Sequence, residues 1–106
     1  MNRGEVWWVD FDPSRGGEIQ KVRPSLIISN DASNKFLNRV QVVPLTSQTN
    51  KLYPSEAYVE VDGKRSKAMT DQLTTVSKRR LKNKFGRVSE SDLKSIERVI
   101  KVQLGL

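Results

Sequence analysis

Apolar and polar residues alternate in short runs along most of this chain, and only its C-terminal end changes to the spacing of an amphipathic helix. The first run, residues 5–11, is rich in β-branched and aromatic side chains. It places Trp7, Val9 and Phe11 on one face and Val6, Trp8 and Asp10 on the other, as a strand does. Val40 and Val42 alternate with Arg39 and Gln41, and Ala57, Val59 and Val61 alternate with Tyr58 and Glu60, so these valines are core candidates. The pattern predicts strands at 5–11, 25–30, 39–45, 56–62, 66–70 and 72–76, with Asp62-Gly63 as a hairpin turn. Ser89 is the candidate N-cap of a closing helix, with Asp92 in a weakened capping box. Leu93, Ile96, Val99, Ile100 and then Gln103 or Leu104 form its apolar stripe up to Gly105. Many short strands and one helix predict a mainly β fold, a small barrel covered by its C-terminal helix, as a single domain over residues 1–106.

Between the first two strands lies a loop of different character. Asp12-Pro13-Ser14 ends the strand, since proline has no N–H for a ladder, and Gly16-Gly17 leave the backbone open to close approach by a phosphate. Pro24 disfavours helical backbone at Arg23, which therefore stands extended at the mouth of the next strand, with Glu18 and Lys21 crowded beside it. Adjacent strand residues face opposite sides, so one of Trp7 and Trp8 belongs to the core and only the other is free for stacking.

Composition narrows the chemistry. The chain has no cysteine and no histidine, which removes disulfides, thiolate zinc sites, the usual general acid–base and any ribonuclease mechanism built on a histidine pair. No G-x-S-x-G elbow occurs, and Asp10 and Asp12 have no partner carboxylates of the kind a two-metal nuclease needs, so no metal or cofactor is expected. No apolar run reaches membrane-spanning length and no signal-peptide pattern opens the chain, so a cytoplasmic protein without membrane contact is expected. The net charge is +7, and residues 64–87 hold nine basic residues against Asp71 alone. Such a segment is the footprint of a surface that attracts a polyanion, or simply of a well-solvated basic face.

Arg3-Gly4-Glu5, Asp12-Pro13, Gly16-Gly17-Glu18 and Arg23-Pro24 stand in the order and spacing of the opening of MazF/PemK-family toxin endoribonucleases. The chain also resembles that family through Val43-Pro44-Leu45-Thr46-Ser47, Asp71-Gln72 and the terminal helix ending Leu104-Gly105-Leu106. The resemblance implies an SH3-like β-barrel of the CcdB/PemK type, paired as a homodimer with basic grooves along the interface. It implies an mRNA interferase, the toxin of a toxin–antitoxin system. Such an enzyme cleaves single-stranded RNA at a short sequence to 2′,3′-cyclic phosphate and 5′-hydroxyl ends, without metal, and is neutralised by an acidic antitoxin protein in the same groove. It also implies the catalytic residues Arg23, Thr46 and Glu18.

The chemistry of those residues fits the roles. Cleavage by the substrate's own 2′-hydroxyl requires a charge clamp on the phosphorane, and the Arg23 guanidinium offers forked donors and stays ionised. The alternative for Arg23 is a structural ion pair with Glu18. The Thr46 hydroxyl is a hydrogen-bond donor for phosphate or leaving group, or a turn-forming hydroxyl. Glu18 either takes the 2′-hydroxyl proton or holds Arg23. Ser14, Gln20, Lys21, Gln48 and Gln72 are candidates for RNA contact on groove-rimming loops, and Trp8 is a candidate for a dimer interface or an RNA base. Residues 34–38 and 47–55 are polar stretches of the kind that form mobile loops. Two other readings stay open: a CcdB-like toxin that poisons gyrase through its C-terminal helix, and a barrel that binds RNA without cutting it.

Overall fold

The computed structural model describes residues 1–11 and 22–106. Its elements are β1 (Glu5–Asp10), β2 (Val22–Ile27), α1 (Asp31–Phe36), β3 (Arg39–Thr46), β4 (Glu56–Val61), β5 (Lys64–Met69), β6 (Thr74–Ser77), β7 (Leu81–Arg87) and α2 (Glu90–Leu104). The strands pair antiparallel in the order β4-β5-β3-β2-β1-β7. β3 is the shared strand. On one edge it meets β2, while its other edge pairs first with β6, up to Val42↔Thr74, and then with β5 from Leu45↔Ala68. Pro44 stands in the gap between those two ladders, where a missing N–H costs least.

The alternation of β1 is realised on both sides of the sheet. Val6 joins Leu26, Val43, Leu45, Val59, Val61, Leu93 and Ile96 in one buried cluster, while Val9 joins Ile27, Val40, Val42, Val76 and Leu81 in another, with Trp7 and Phe11 packed against it. The Asp62-Gly63 turn is a two-residue hairpin with both residues at positive φ, 53° and 76°, joining β4 to β5 at Val61↔Lys64. Helix α2 begins as expected, with Ser89 Oγ accepting from Asp92 N–H at 3.0 Å. The capping box is not reciprocal, because the Asp92 carboxylate instead accepts from the Glu60 backbone N–H at 2.9 Å and ties the helix to β4. Leu93 and Ile96 are buried and Val99 and Ile100 pack on the same cluster, but Gln103 and Leu104 lie exposed beyond it.

Four elements depart from the sequence reading. β2 runs Val22–Ile27 rather than 25–30, so Arg23 and Pro24 lie within the strand and not at its mouth, paired to Val9 and Trp8 of β1. β7 is absent from that reading because Lys82, Asn83 and Lys84 interrupt any apolar alternation; as an edge strand paired only to β1, it keeps its lysines in solvent. Residues 70–72 turn as a 3₁₀ element, so β6 starts at Thr74 rather than at 72. The 34–38 stretch is not simply a loop, because α1 runs to Phe36. Asn30 caps that helix by accepting from Ser33 N–H at 2.9 Å, and the buried Asn34 amide donates to the Ser29 carbonyl at 2.9 Å. Such a short polar helix has no apolar period to detect.

The Arg3-Gly4-Glu5 motif is structural. Arg3 donates from its backbone to Asp31 at 2.7 Å and from Nε to the Ile28 carbonyl at 2.9 Å, and pairs with Glu97 at 2.8 Å, joining the N-terminus to both helices. Buried Glu5 accepts from Trp7 Nε1 at 2.9 Å and Asn2 N–H at 3.1 Å, and pairs with Lys84 at 3.3 Å and the terminal ammonium at 3.8 Å. Burial by itself pushes the Glu5 carboxyl up, but the Trp7, Asn2 and Lys84 hydrogen bonds and the N-terminal charge outweigh it and hold the group below the ordinary carboxylate range.

The two ends of the strand order, β4 and β7, meet through a close contact. A Cβ on Gly86 would lie 2.9 Å from Val61 Cγ1, so only glycine admits this approach. Gly86→Ala should therefore destabilise the fold by about 1–3 kcal/mol, and combining it with Val61→Ala should cost less than the sum of the two, as read from denaturant midpoints. Glu5 supplies a second test. A folded-state pKa below the unfolded one gives stability that is present above the unfolded value and lost as pH falls through the folded one. Denaturant midpoints measured from about pH 7 down to about pH 3 should fall in the wild type and fall less steeply in Glu5→Gln.

Candidate functional site

The antiparallel register of β2 and β3 brings two distant parts of the sequence together. Ser25 pairs with Pro44 at the end of their ladder, and Arg23 and Thr46 each lie two residues beyond it on neighbouring strands. Both residues line one cleft of about 490 Å³, together with Trp8 from β1, Val22 and Pro24 from β2, Leu45 and Ser47 at the end of β3, Val61 from β4, Lys64, Arg65 and Ser66 from β5, and Phe85 from β7. Leu45 and Val61 belong to the first core cluster and Phe85 packs against it, so the cleft floor is the open end of that core. Its rim carries three cations and three hydroxyls, with no carboxylate among the described lining residues.

Arg23 is half-buried, and no described acidic side chain pairs with it. Thr46 Oγ1 accepts from the Gln48 backbone N–H at 3.2 Å, a local turn that fixes the hydroxyl and leaves its own hydrogen to donate outward. The turn-forming and donor readings of Thr46 are thus compatible. This pair can grip an anionic oxygen from two sides: a permanent charge with forked donors, and a neutral hydroxyl.

The other predicted residues fare differently. Glu18, Ser14, Gln20 and Lys21 lie outside the described residues. Gln48 is exposed next to the cleft and bonds Thr46 only through its backbone; its side chain is not among the lining groups. Gln72 is not brought to the cleft. It sits in the 3₁₀ turn after the far end of β5, with Nε2 3.7 Å from Met69 Sδ, whereas the cleft borders the start of that strand. Of the two tryptophans, Trp7 is committed to the second core cluster and to Glu5, while Trp8 faces the cleft with its ring 5.2 Å from that of Phe85. Sequence reasoning did not single out Lys64, Ser66 or Phe85. The register Val61↔Lys64 and Val59↔Ser66, which puts both β5 residues on the face of two core valines, is the signal that finds them.

The basic segment 64–87 does not form one footprint. Lys64 and Arg65 reach the cleft, but Lys67 is buried against Glu56, Lys84 pairs with Glu5, Arg80 donates to the Asp10 carbonyl, and Lys78 borders a separate hollow beside Trp7 and Lys35. Alternation along strands spreads consecutive charges over opposite faces.

The Lys67–Glu56 pair also holds the 47–55 segment beside the cleft. Lys67 Nζ lies 3.0 Å from Glu56 and also donates to the Lys51 carbonyl, Glu56 accepts from the Tyr53 backbone N–H at 2.9 Å, and the Tyr58 hydroxyl donates to the Thr49 carbonyl at 2.8 Å. The Arg65 guanidinium stacks 3.6 Å above the centre of the Tyr58 ring. Burial pushes the Glu56 carboxyl up, but the Tyr53 and Lys67 hydrogen bonds and the Lys67 charge prevail and lower it.

Residues 2–104 match the family model of the PemK-like, MazF-like toxin of type II toxin–antitoxin systems. Endoribonuclease MazF9 of Mycobacterium tuberculosis is 36% identical over 118 aligned residues, covering 100% of this chain and 98% of that protein. Endoribonuclease MazF of Staphylococcus saprophyticus is 34% identical, covering 100% and 92%. Among solved structures, an endoribonuclease in complex with its cognate antitoxin from a mycobacterial species superposes with a TM-score of 0.83 at 26% identity, covering 100% of this chain and 96% of that one.

Proposed function

The chain belongs to the PemK-like, MazF-like toxins of type II toxin–antitoxin systems, and from that premise we propose that it is an endoribonuclease, an mRNA interferase acting on single-stranded RNA in the cytoplasm. The observation that carries the reading is the meeting of Arg23 and Thr46 in one cation-rimmed cleft, in a chain whose 34–36% identical relatives are endoribonucleases along their full length. In the proposed reaction the substrate's 2′-oxygen attacks the adjacent phosphorus and gives up its proton. The P–O5′ bond breaks, and the products are a 2′,3′-cyclic phosphate and a 5′-hydroxyl. Arg23 stabilises the charge that accumulates on the non-bridging oxygens, a task suited to a group that stays ionised and offers two parallel donors. Thr46, its oxygen already engaged by Gln48 N–H, donates to a phosphate oxygen or to the departing 5′-oxygen. Glu18 is assigned by its place in the motif, as proton acceptor for the 2′-hydroxyl or as the carboxylate that holds Arg23.

No metal is required in this scheme, since the nucleophile comes from the substrate and a guanidinium supplies the positive charge. The same cleft suits capture by an acidic antitoxin segment. We take the working unit to be a homodimer of this single-domain chain, as the family resemblance implies. No described helix is long and apolar enough to cross a membrane.

Purified protein incubated with long single-stranded RNA in EDTA should cut at one short motif and leave cyclic-phosphate ends. Arg23→Ala and Thr46→Ala should each lose about 10²–10³-fold or more in rate while keeping the wild-type circular dichroism. A folded wild type that leaves many RNA sequences intact would sink the proposal and favour gyrase poisoning or binding without cleavage. Glu18→Gln separates its two roles: the amide oxygen can still accept from Arg23 but cannot take a proton, so the rate should fall by about 10²-fold or more if Glu18 is the base and by much less if it only holds Arg23. Lys64, exposed and without an ion-pair partner among the described residues, should contribute affinity only. Lys64→Ala should reduce the slope of log affinity against log salt by about 0.7, measured by anisotropy on uncleavable RNA.

A further inference from the structure

We propose that the open end of the barrel is a base-accepting subsite, in which one nucleobase of the RNA lies against Trp8 and Phe85 while an adjoining phosphate sits at Arg23 and Thr46. The inference deepens the nuclease reading and rests on it for the identity of the ligand.

Three observations converge on a flat, partly polar occupant. The floor is apolar and aromatic: Trp8, Pro24, Leu45, Val61 and Phe85. The Trp8 and Phe85 rings support each other at 5.2 Å between centroids and a tilt of 43°, and both stay half-buried, which leaves aromatic surface open at the cleft. Trp7 is half-buried too, but its indole N–H is taken by Glu5 and the hollow it borders includes the Asp31 carboxylate, which a polyanion would avoid. The rim is polar on the side that the strand register dictates. Lys64 and Ser66 share the face of Val61 and Val59, so they stand over the same floor.

A nucleobase matches this arrangement, since its π-face stacks on an aromatic ring and its edge bonds to hydroxyls such as Ser66 and Ser47. The backbone phosphates next to it meet Lys64 on one side and Arg23 on the other. The cavity of about 490 Å³ lies within the roughly 300–1,000 Å³ of small-ligand pockets. A charge-only surface would explain the cations and leave the half-open rings without a purpose.

The test uses short 2′-O-methyl RNA homo-oligomers of each of the four bases, which lack the nucleophile and cannot be cut, beside an all-abasic oligomer of equal length and charge. At least one base-bearing oligomer should bind the wild type about 5- to 100-fold more tightly than the abasic one. In Trp8→Leu that advantage should vanish while affinity for the abasic oligomer is kept. Since Trp8→Leu could disturb the floor itself, Trp7→Phe provides a second readout: with Trp8 as the sole tryptophan, its fluorescence should be quenched by the base-bearing oligomer and not by the abasic one. Equal binding of the two oligomers, or an advantage that survives in Trp8→Leu, would overturn the subsite. Cleavage of unmodified RNA judges the parent reading separately. RNA cut without any base advantage refutes the subsite alone, and a base advantage at Trp8 without cutting refutes the nuclease alone.

Discussion

The two outer strands of this sheet, β4 and β7, come so close at Gly86 that a side chain there would run into Val61. The approach of β7 to Val61 sets the shape of the site as well as that of the fold. Phe85, the preceding residue, lines the cleft, and Val61 contributes to its floor from the other outer strand. The register between β1 and β7 shifts on both sides of Trp7, which lets the edge strand turn toward β4 without breaking its pairing. Had β7 ended before Phe85, the first core cluster would lose one of its packing partners and the cleft one of its aromatic rings.

β3 plays the complementary part. It carries ladders to β2, β5 and β6, and its last residue, Thr46, is held by pairing with Lys67 of β5. Arg23 comes to the same place from the neighbouring strand by register alone. Two residues far apart in sequence are thus positioned by secondary structure rather than by a flexible loop, the arrangement expected where the placement of a charge matters to the chemistry. The charges around them are sorted by the same geometry. Of the basic residues clustered in sequence, Lys64 and Arg65 at the start of β5 reach the cleft, Lys67 and Lys84 pair with Glu56 and Glu5, and Arg80 bonds a backbone carbonyl.

How much of this the sequence disclosed depended on whether a residue's neighbours in the chain were also its neighbours in space. The alternation of valines located β1, β3 and β4, and Ser89 with the apolar stripe located α2, because those patterns are local. β7 escaped because an edge strand needs lysine more than it needs alternation, and α1 because six residues make too little helix to show a period. The motif around Arg23 and Thr46 was recognisable as a family resemblance, but the register that brings them to one cleft is a property of two paired strands and has no signature in either one. The position of Gln72 was illegible for the same reason: nothing local says that β5 runs away from the cleft before reaching it. The Lys67–Glu56 pair was hidden inside a run of charges that read as surface.

The fastening of residues 47–55 has a further consequence. The barrel's side chains do the holding, Tyr58 at Thr49, Lys67 at Lys51 and Thr70 at Ser55, and in each case what they grasp is a main-chain carbonyl. A carbonyl is supplied by every amino acid. The segment can therefore change its side chains through mutation and still be moored at the same points, by residues of β4, of β5 and of the 3₁₀ turn that follows β5. Such a division leaves the side chains of the segment free to change without rebuilding the scaffold that presents them.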